Sequence, residues 1–243
     1  MKMRRTCVLV AVSLSVFFLA LNPVPARAAP ILIDWAFNIN GEIYESCQGG
    51  TLPGGFDDSL FDWESGLGEL SLLYRPASPG SSNVVAFFDH ELSPGTTSFF
   101  YNDYGISGGT LSAGQTWGID EPGYAFGDIY FNVLSGSLDN ENAVPEGLEN
   151  DVSLAIGWSF TLGENEYARI RWCLTPDPSF IAGYTGLYLA QINELSQETL
   201  YLTSMLDICE NDSVATPVPE PASMLLFGFG AAGVIAAGKR MKS

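Results

Sequence analysis

The 243-residue chain carries 28 aspartates and glutamates against ten lysines and arginines, a formal charge of −18. Such a balance repels nucleic-acid phosphates and anionic lipid, which excludes nucleic-acid binding. A single histidine likewise excludes a multi-histidine zinc or iron centre.

The first element in chain order is a leader. Lys2, Arg4 and Arg5 precede an uncharged apolar run from Cys7 to Leu21, and Ala26-Arg27-Ala28 places small residues at alternate positions. This is the three-part layout of a secretory signal peptide over residues 1–28. Signal peptidase is expected to cut between Ala28 and Ala29, because a cut one residue later would put Pro30 first in the mature chain. Between Ala29 and Thr216 there remain 27 acids, three arginines (Arg75, Arg169 and Arg171) and no lysine, a formal charge of −24. Those residues, 29–216, suit one undivided domain, since all-β domains commonly run this long. Their acidity favours solubility outside the cell and gathers cations. Cys47, Cys173 and Cys209 reach an oxidising compartment, where one disulfide and one leftover thiol is the simple expectation, with the pairing open.

Period-two alternation dominates the domain. Ile31, Ile33, Trp35, Phe37 and Ile39 share one side of a first strand. Further strands are expected at Glu69–Arg75, Asn83–His90, Gly186–Ile192 and Thr199–Ile208. Asn-Val-Val-Ala-Phe-Phe-Asp-His, from Asn83, is apolar on both parities and predicts a central strand. From Asp151 to Phe160, Val152, Leu154, Ile156, Trp158 and Phe160 alternate with small and polar residues. After Leu-Gly-Glu-Asn-Glu, the residues Ala168, Ile170, Trp172 and Leu174 do the same, which predicts a β-hairpin with one buried face. No long segment between the two termini keeps a helical period. The expected fold is an all-β, antiparallel two-sheet sandwich, jelly-roll-like, flanked by an N-terminal signal helix and a C-terminal transmembrane helix.

Four constellations could carry chemistry. His90 lies between Asp89 and Glu91, whose charges would raise its pKa. On a strand, however, both carboxylates point away from the imidazole, so a structural role is the better reading. Gly105-Ile106-Ser107-Gly108-Gly109 has the spelling of a hydrolase nucleophile elbow, but no helix follows and the one histidine lies upstream; it reads as a glycine-rich loop. Trp63 beside Asp62 and Glu64, and Trp117 near Asp120 and Glu121, could stack and position a sugar. Calcium suits crowded loop acids such as Asp139-Asn140-Glu141-Asn142, Glu149-Asn150-Asp151 and the set Asp120, Glu121, Asp128. No EF-hand spacing accompanies them. The expectation is no catalytic residue, no bound cofactor and no dedicated metal ligand, with calcium the one cofactor worth testing.

The chain closes on Val218-Pro219-Glu220-Pro221, a charge-free run from Ala222 to Gly238, and Lys239, Arg240 and Lys242. Two prolines keep the tetrapeptide extended and out of the helix that follows. As a helix the apolar run spans about 26 Å, close to a bilayer core. The basic residues after it stay in the cytoplasm, giving a stop-transfer tail. This order over residues 217–243 closely resembles the PEP-CTERM sorting signal of Gram-negative bacteria, with Pro219, Glu220 and Pro221 as its triplet and Lys239 and Arg240 in its basic end. The resemblance implies processing by exosortase, a membrane cysteine transpeptidase, and release or attachment at the cell surface alongside exopolysaccharide.

The middle of the chain has a resemblance of its own. The Phe-Asp-His-Glu segment at Phe88, the Trp-Gly-Ile-Asp-Glu-Pro-Gly-Tyr-Ala-Phe-Gly-Asp-Ile-Tyr segment at Trp117 and the Asp-Val-Ser-Leu-Ala-Ile-Gly-Trp-Ser-Phe segment at Asp151 are similar to those of a group of PEP-CTERM exported proteins. That similarity implies a secreted β-sandwich domain and brings no catalytic residues with it. The combined expectation is an exported surface or extracellular-matrix protein with a structural or adhesive role. Its partners would be signal peptidase and exosortase during export, the membrane through its C-terminal helix before processing, and exopolysaccharide or divalent cations afterwards. The alternative is a carbohydrate-binding module or a weak glycan-acting enzyme. An exposed row of Trp or Tyr would favour that alternative; burial of Trp35, Trp117, Trp158 and Trp172 would favour the structural role.

Overall fold

The computed structural model describes residues 29–48, 51–92, 101–123 and 126–210. The segments expected to form a signal peptide (1–28) and a sorting tail (217–243) lie outside the described residues. In chain order the elements are β1 (Ile31–Ile39), β2 (Glu42–Glu45), β3 (Phe56–Asp62), β4 (Leu67–Tyr74), β5 (Gly80–Glu91), β6 (Asp103–Gly108), β7 (Gln115–Asp120), α1 (Ile129–Ser135), β8 (Ser153–Leu162), β9 (Glu166–Thr175), β10 (Tyr188–Asn193) and β11 (Thr199–Glu210). The strands form two antiparallel sheets, one ordered β2-β1-β5-β8-β7 and the other β3-β4-β9-β11-β10-β6. β5, apolar on both parities, is the middle strand of the five-stranded sheet, as its composition predicts.

Aromatic side chains join the sheets. Phe37 of β1 meets Trp172 of β9 edge-on at 5.5 Å between ring centroids, and Phe88 of β5 at 5.9 Å. Phe56 of β3 stacks on Trp172 at 6.1 Å. Around them the inward residues of both sheets are dry: Leu70 and Leu72 on β4, Leu154 and Ile156 on β8, Ile170 on β9, and Leu200 and Leu202 on β11 are all buried.

Five expectations need correction. Ile31 and Ile33 are exposed, because a bulge between Leu32 and Asp34 inserts one residue into the β1–β5 ladder and reverses the parity of the strand's first residues. Leu32 packs on the core in their place, and its amide donates to Glu64 O at 3.1 Å, tying β1 to the loop between β3 and β4. The segments at 151–160 and 168–174 are strands, but they are no hairpin: β8 pairs with β5 and β7, while β9 pairs with β4 and β11. Their turn crosses from one sheet to the other. A period-two pattern with one buried face fits a partner across the core as well as one alongside.

The third correction is a helix. α1 lays Ile129 and Val133, one turn apart, on Ala36, Val85, Phe87 and Ala155 on the outer face of the five-stranded sheet. At seven residues it is too short for its period to stand out. Buried Asn38 caps it from below: Asn38 Nδ2 donates to Val133 O and Leu134 O, both at 2.9 Å, and Asn38 Oδ1 accepts from Gly41 N at 2.7 Å. Gly41 and Asn40 both have positive φ, the two-residue turn that Asn-Gly favours, and it closes β1 on β2.

Fourth, Cys47, Cys173 and Cys209 are all free. Cys173 lies opposite Thr203 and Cys209 opposite Tyr167 on the β9–β11 ladder, six residues apart and therefore roughly 20 Å along the strand, far beyond disulfide reach. Cys47 sits beside Glu45 and Asp34 at the five-stranded sheet, whereas Cys173 sits beside Glu69 and Tyr184 on the other sheet. Fifth, Gly105-Ile106-Ser107-Gly108 is part of strand β6, not a loop. A β-carbon at Gly105 would run into the Ile119 side chain and one at Gly108 into the Tyr188 ring, so close packing explains the glycines.

The Asn38 cap gives a direct test. Asn38→Ala orphans the Leu134 carbonyl and the Gly41 amide and leaves Val133 O with the Gly136 amide alone. It is expected to cost about 1–3 kcal/mol in chemical unfolding, whereas exposed Ser135→Ala on the same helix stays within about 0.5 kcal/mol.

Candidate functional site

Acidic side chains gather at one end of the sandwich, where β5 and β10 finish and β6 and β8 begin. Asp89 and Glu91 on β5, Asp103 on β6 and Asp151 just before β8 contribute, and Asp89, Glu91 and Asp103 are each under 9% exposed. Pairing puts them there: Asp89 and Asp120 flank Ser153 from either side, and Asp103 bridges Asn150 through both backbone groups.

Few donors serve these carboxylates. Asp89 Oδ1 accepts from Ser153 Oγ at 2.9 Å. Asp103 is better held, with Oδ2 accepting from Gln191 Nε2 at 2.6 Å and Oδ1 from Asn193 Nδ2 at 2.7 Å. Gln191 Nε2 also donates to His90 O at 2.8 Å, which clamps the end of β5 to β10. The charges acting on the group are all negative. Burial, reinforced by Asp151, pushes the Asp89 carboxyl up to about 7, and burial with Asp103 and Asp151 pushes Glu91 up to about 8. Burial raises Asp103 to about 6 against its two amide donors, and raises Asp151 to about 6 with help from Asp103 and Glu121. Asp120 and Glu121 are raised too, chiefly by burial.

His90 points the other way, into the core, with its ring 6.5 Å from Phe88. Its Nε2 lies 3.3 Å from Gly66 O. Burial pulls its pKa down to about 4, so the neighbouring carboxylates do not raise it: they stand on the opposite face. Ser107 of the Gly-x-Ser-x-Gly spelling lies on β6, paired with Leu189, and the next element is a strand.

The tryptophans serve the core. Trp35, Trp158 and Trp172 are under 9% exposed, and Trp63 and Trp117 are half-buried against the same core. Trp63 packs on Trp35 at 5.1 Å and Phe61 at 4.8 Å while its Nε1 donates to Asp58 Oδ2 at 2.8 Å.

The loop acids considered for calcium have structural work. Asn140 Oδ1 accepts from Trp117 N at 2.9 Å, Asp139 Oδ1 from Glu141 N at 3.0 Å, and Asn142 Oδ1 from Val144 N at 3.1 Å. The same loop pairs its backbone with both edges: Ile119 N donates to Glu141 O at 3.1 Å on β7, and Gly105 N to Val144 O at 2.8 Å on β6. It therefore closes one side of the sandwich. Among the described residues, no three His, Cys, Asp or Glu side chains form a group able to hold a metal ion. Of the acids proposed in the sequence, Asp120, Glu121 and Asp151 do come together with Asp89 and Asp103; Asp139 and Glu141 serve the edge. No motif in the sequence marks Asp103, Gln191 and Asn193. Their signal is a polar interruption on the core parity of β10, where Leu189 is followed by Gln191 and Asn193.

Comparison with known proteins bears on the other end of the chain. Residues 217–240 match the PEP-CTERM protein-sorting motif. The chain carries an exosortase sorting signal. The PEP-CTERM motif marks an exported protein, processed by exosortase and addressed to the cell surface. No curated protein and no solved structure matches the chain.

The acidic end has a pH signature. A carboxyl raised by folding binds its proton more tightly folded than unfolded. Its contribution is fully present below the ordinary range near 4 and is lost as pH rises through the folded value. His90 has the opposite sign but acts only below about 6.5. The thermal midpoint is therefore expected to fall between about pH 6.5 and 8.5 at fixed ionic strength, and Asp89→Asn to flatten that fall.

Proposed function

We propose that this PEP-CTERM protein is a structural or adhesive component of the cell surface or extracellular matrix, associated with exopolysaccharide and without catalytic activity. Signal peptidase removes residues 1–28 between Ala28 and Ala29. The apolar run 222–238 then holds a transient membrane-anchored precursor, with Lys239 and Arg240 on the cytoplasmic side, until exosortase acts at Pro219-Glu220-Pro221.

The observation that supports a structural role is the use of the tryptophans. All five pack in or against the hydrophobic core. A glycan-binding face needs exposed flat rings on which sugars stack, and none of the tryptophans is spare for it. The acidic surface keeps neighbouring copies apart in solution and attracts divalent cations, which can bridge acidic chains in a matrix.

A strain lacking the protein tests the proposal. Its matrix is expected to lose cohesion under shear and to regain it with the wild-type chain. The purified protein is expected to release no reducing ends from the strain's own exopolysaccharide and to keep its tryptophan fluorescence unchanged on adding it. Release of reducing ends would make it a glycan-acting enzyme, and a saturable fluorescence change would make it a carbohydrate-binding module.

A further inference from the structure

Residues 29–216 hold three arginines and no lysine, and strand register brings all three arginines to one place. On β9, Arg169 and Arg171 alternate with buried Ala168, Ile170 and Trp172, so both stand on the outer face of the six-stranded sheet. Arg75 follows β4, whose Tyr74 pairs with Ala168, and its guanidinium lies over the Tyr167 ring of the same face at 4.3 Å. Strand rise and spacing put Arg169 about 7 Å from Arg171 and about 8 Å from Arg75 along the backbone. The three lie toward the end of the slab where Glu210 meets Glu166, away from Asp89, Glu91 and Asp103.

Acids do not use these cations up. Arg171 reaches Asp207 at 3.4 Å, and its Nε has no acceptor among the described residues. Arg169 is exposed and makes no ion pair among the described residues, although Asp207 stands opposite it on β11. Glu166 turns its carboxylate onto the Gly163 amide, at 2.6 Å. Glu69 stands opposite Cys173, one position along the face from Arg171. Cations that served only to neutralise 27 acids would be dispersed among them; these are neighbours, and one is unpaired.

We propose that this arginine face docks a carboxylate-bearing polysaccharide, with Arg169 and Arg171 holding carboxylates on one chain. The proposal rests on the reading that the protein is associated with exopolysaccharide, and it gives that association a chemistry and a place. A guanidinium is a planar fork that takes a carboxylate through two N–H donors. Two neighbouring guanidiniums repel each other, and an anion between them relieves that repulsion. A second copy of the domain is the poorer occupant. It would bring a formal charge of −24 to the contact, whereas a polysaccharide brings its carboxylates singly along a thin chain. At physiological ionic strength the Debye length of about 8 Å confines repulsion to acids close to the contact.

The test measures binding of the purified protein to polygalacturonate and to neutral dextran, at about 0.15 M salt with EDTA present. Polygalacturonate is expected to bind and dextran not. Arg169→Gln should bind at least about tenfold more weakly while its thermal midpoint is kept. Arg169→Lys, which keeps the charge but loses the fork, should fall between the two. Binding should disappear near 1 M salt, where the Debye length is about 3 Å. Equal binding to dextran, undiminished binding by the Arg169→Gln, Arg171→Gln double variant, or binding that needs calcium overturns the arginine face. Cosedimentation with the strain's own exopolysaccharide separates this from the broader reading. A double variant that cosediments as well as the wild type overturns the face and leaves the association standing. A wild type that does not cosediment overturns the association, and the face as its means.

Discussion

The contact of Phe37 with Phe88 beside it and with Trp172 across the sandwich is the constraint on which the remainder of the structure depends. Sheets packed face to face stand about 10 Å apart and exclude water between them. In a chain with so many acids, that slab cannot hold an ionised carboxylate without a partner. The acids are therefore displaced to surfaces, edges and ends. The edge strand β3 carries Asp57, Asp58 and Asp62 and a register shift between Asp57 and Leu60, features that discourage pairing with another sheet. Edge strands β6 and β7 are covered instead by the acidic loop after α1, whose asparagines and aspartate turn their oxygens onto backbone amides.

Among the described residues, acids crowd inside at one end only. Asp103 is tolerated there because Gln191 and Asn193 donate to both its oxygens, and the same Gln191 fixes the end of β5. Asp89 has Ser153 and a raised pKa instead. The domain's start and finish lie at opposite ends of the slab: Ile31 stands beside Glu91, while Glu210 stands beside Glu166 near the turn that joins β8 to β9. A twelve-residue strand such as β11 spans roughly 40 Å. The acidic end therefore lies at the end of the slab away from Glu210, after which the sorting motif follows.

Much of the fold was legible in alternation, because the core demands it. β4, β5, β8, β9, β10 and β11 lie where period two places them, and the two-sided apolar run of β5 correctly predicts the middle of a sheet. What alternation does not encode is which strand lies beside which. The crossing of β8 to β9, the bulge at Leu32 and the separation of the three cysteines are all consequences of pairing between distant segments. α1 needed only one turn of apolar spacing, Ile129 to Val133, which is too little to recognise. The acidic cluster and its amide donors join residues from 89 to 193 along the chain, so its members look unrelated until the ladders bring them together. The sorting motif at residues 217–240 was legible, because it is read as a linear order of proline, apolar and basic segments.

The most direct measurement is the intact mass of the protein made by its own host, compared with that of the Pro219→Ala, Pro221→Ala double variant. The wild-type product is expected to have lost the apolar and basic segment after the proline triplet and to leave the membrane fraction. The variant should keep that segment and remain with the membrane. A variant trimmed and released as the wild type is, or a wild-type chain that keeps its tail, would contradict exosortase processing at this triplet.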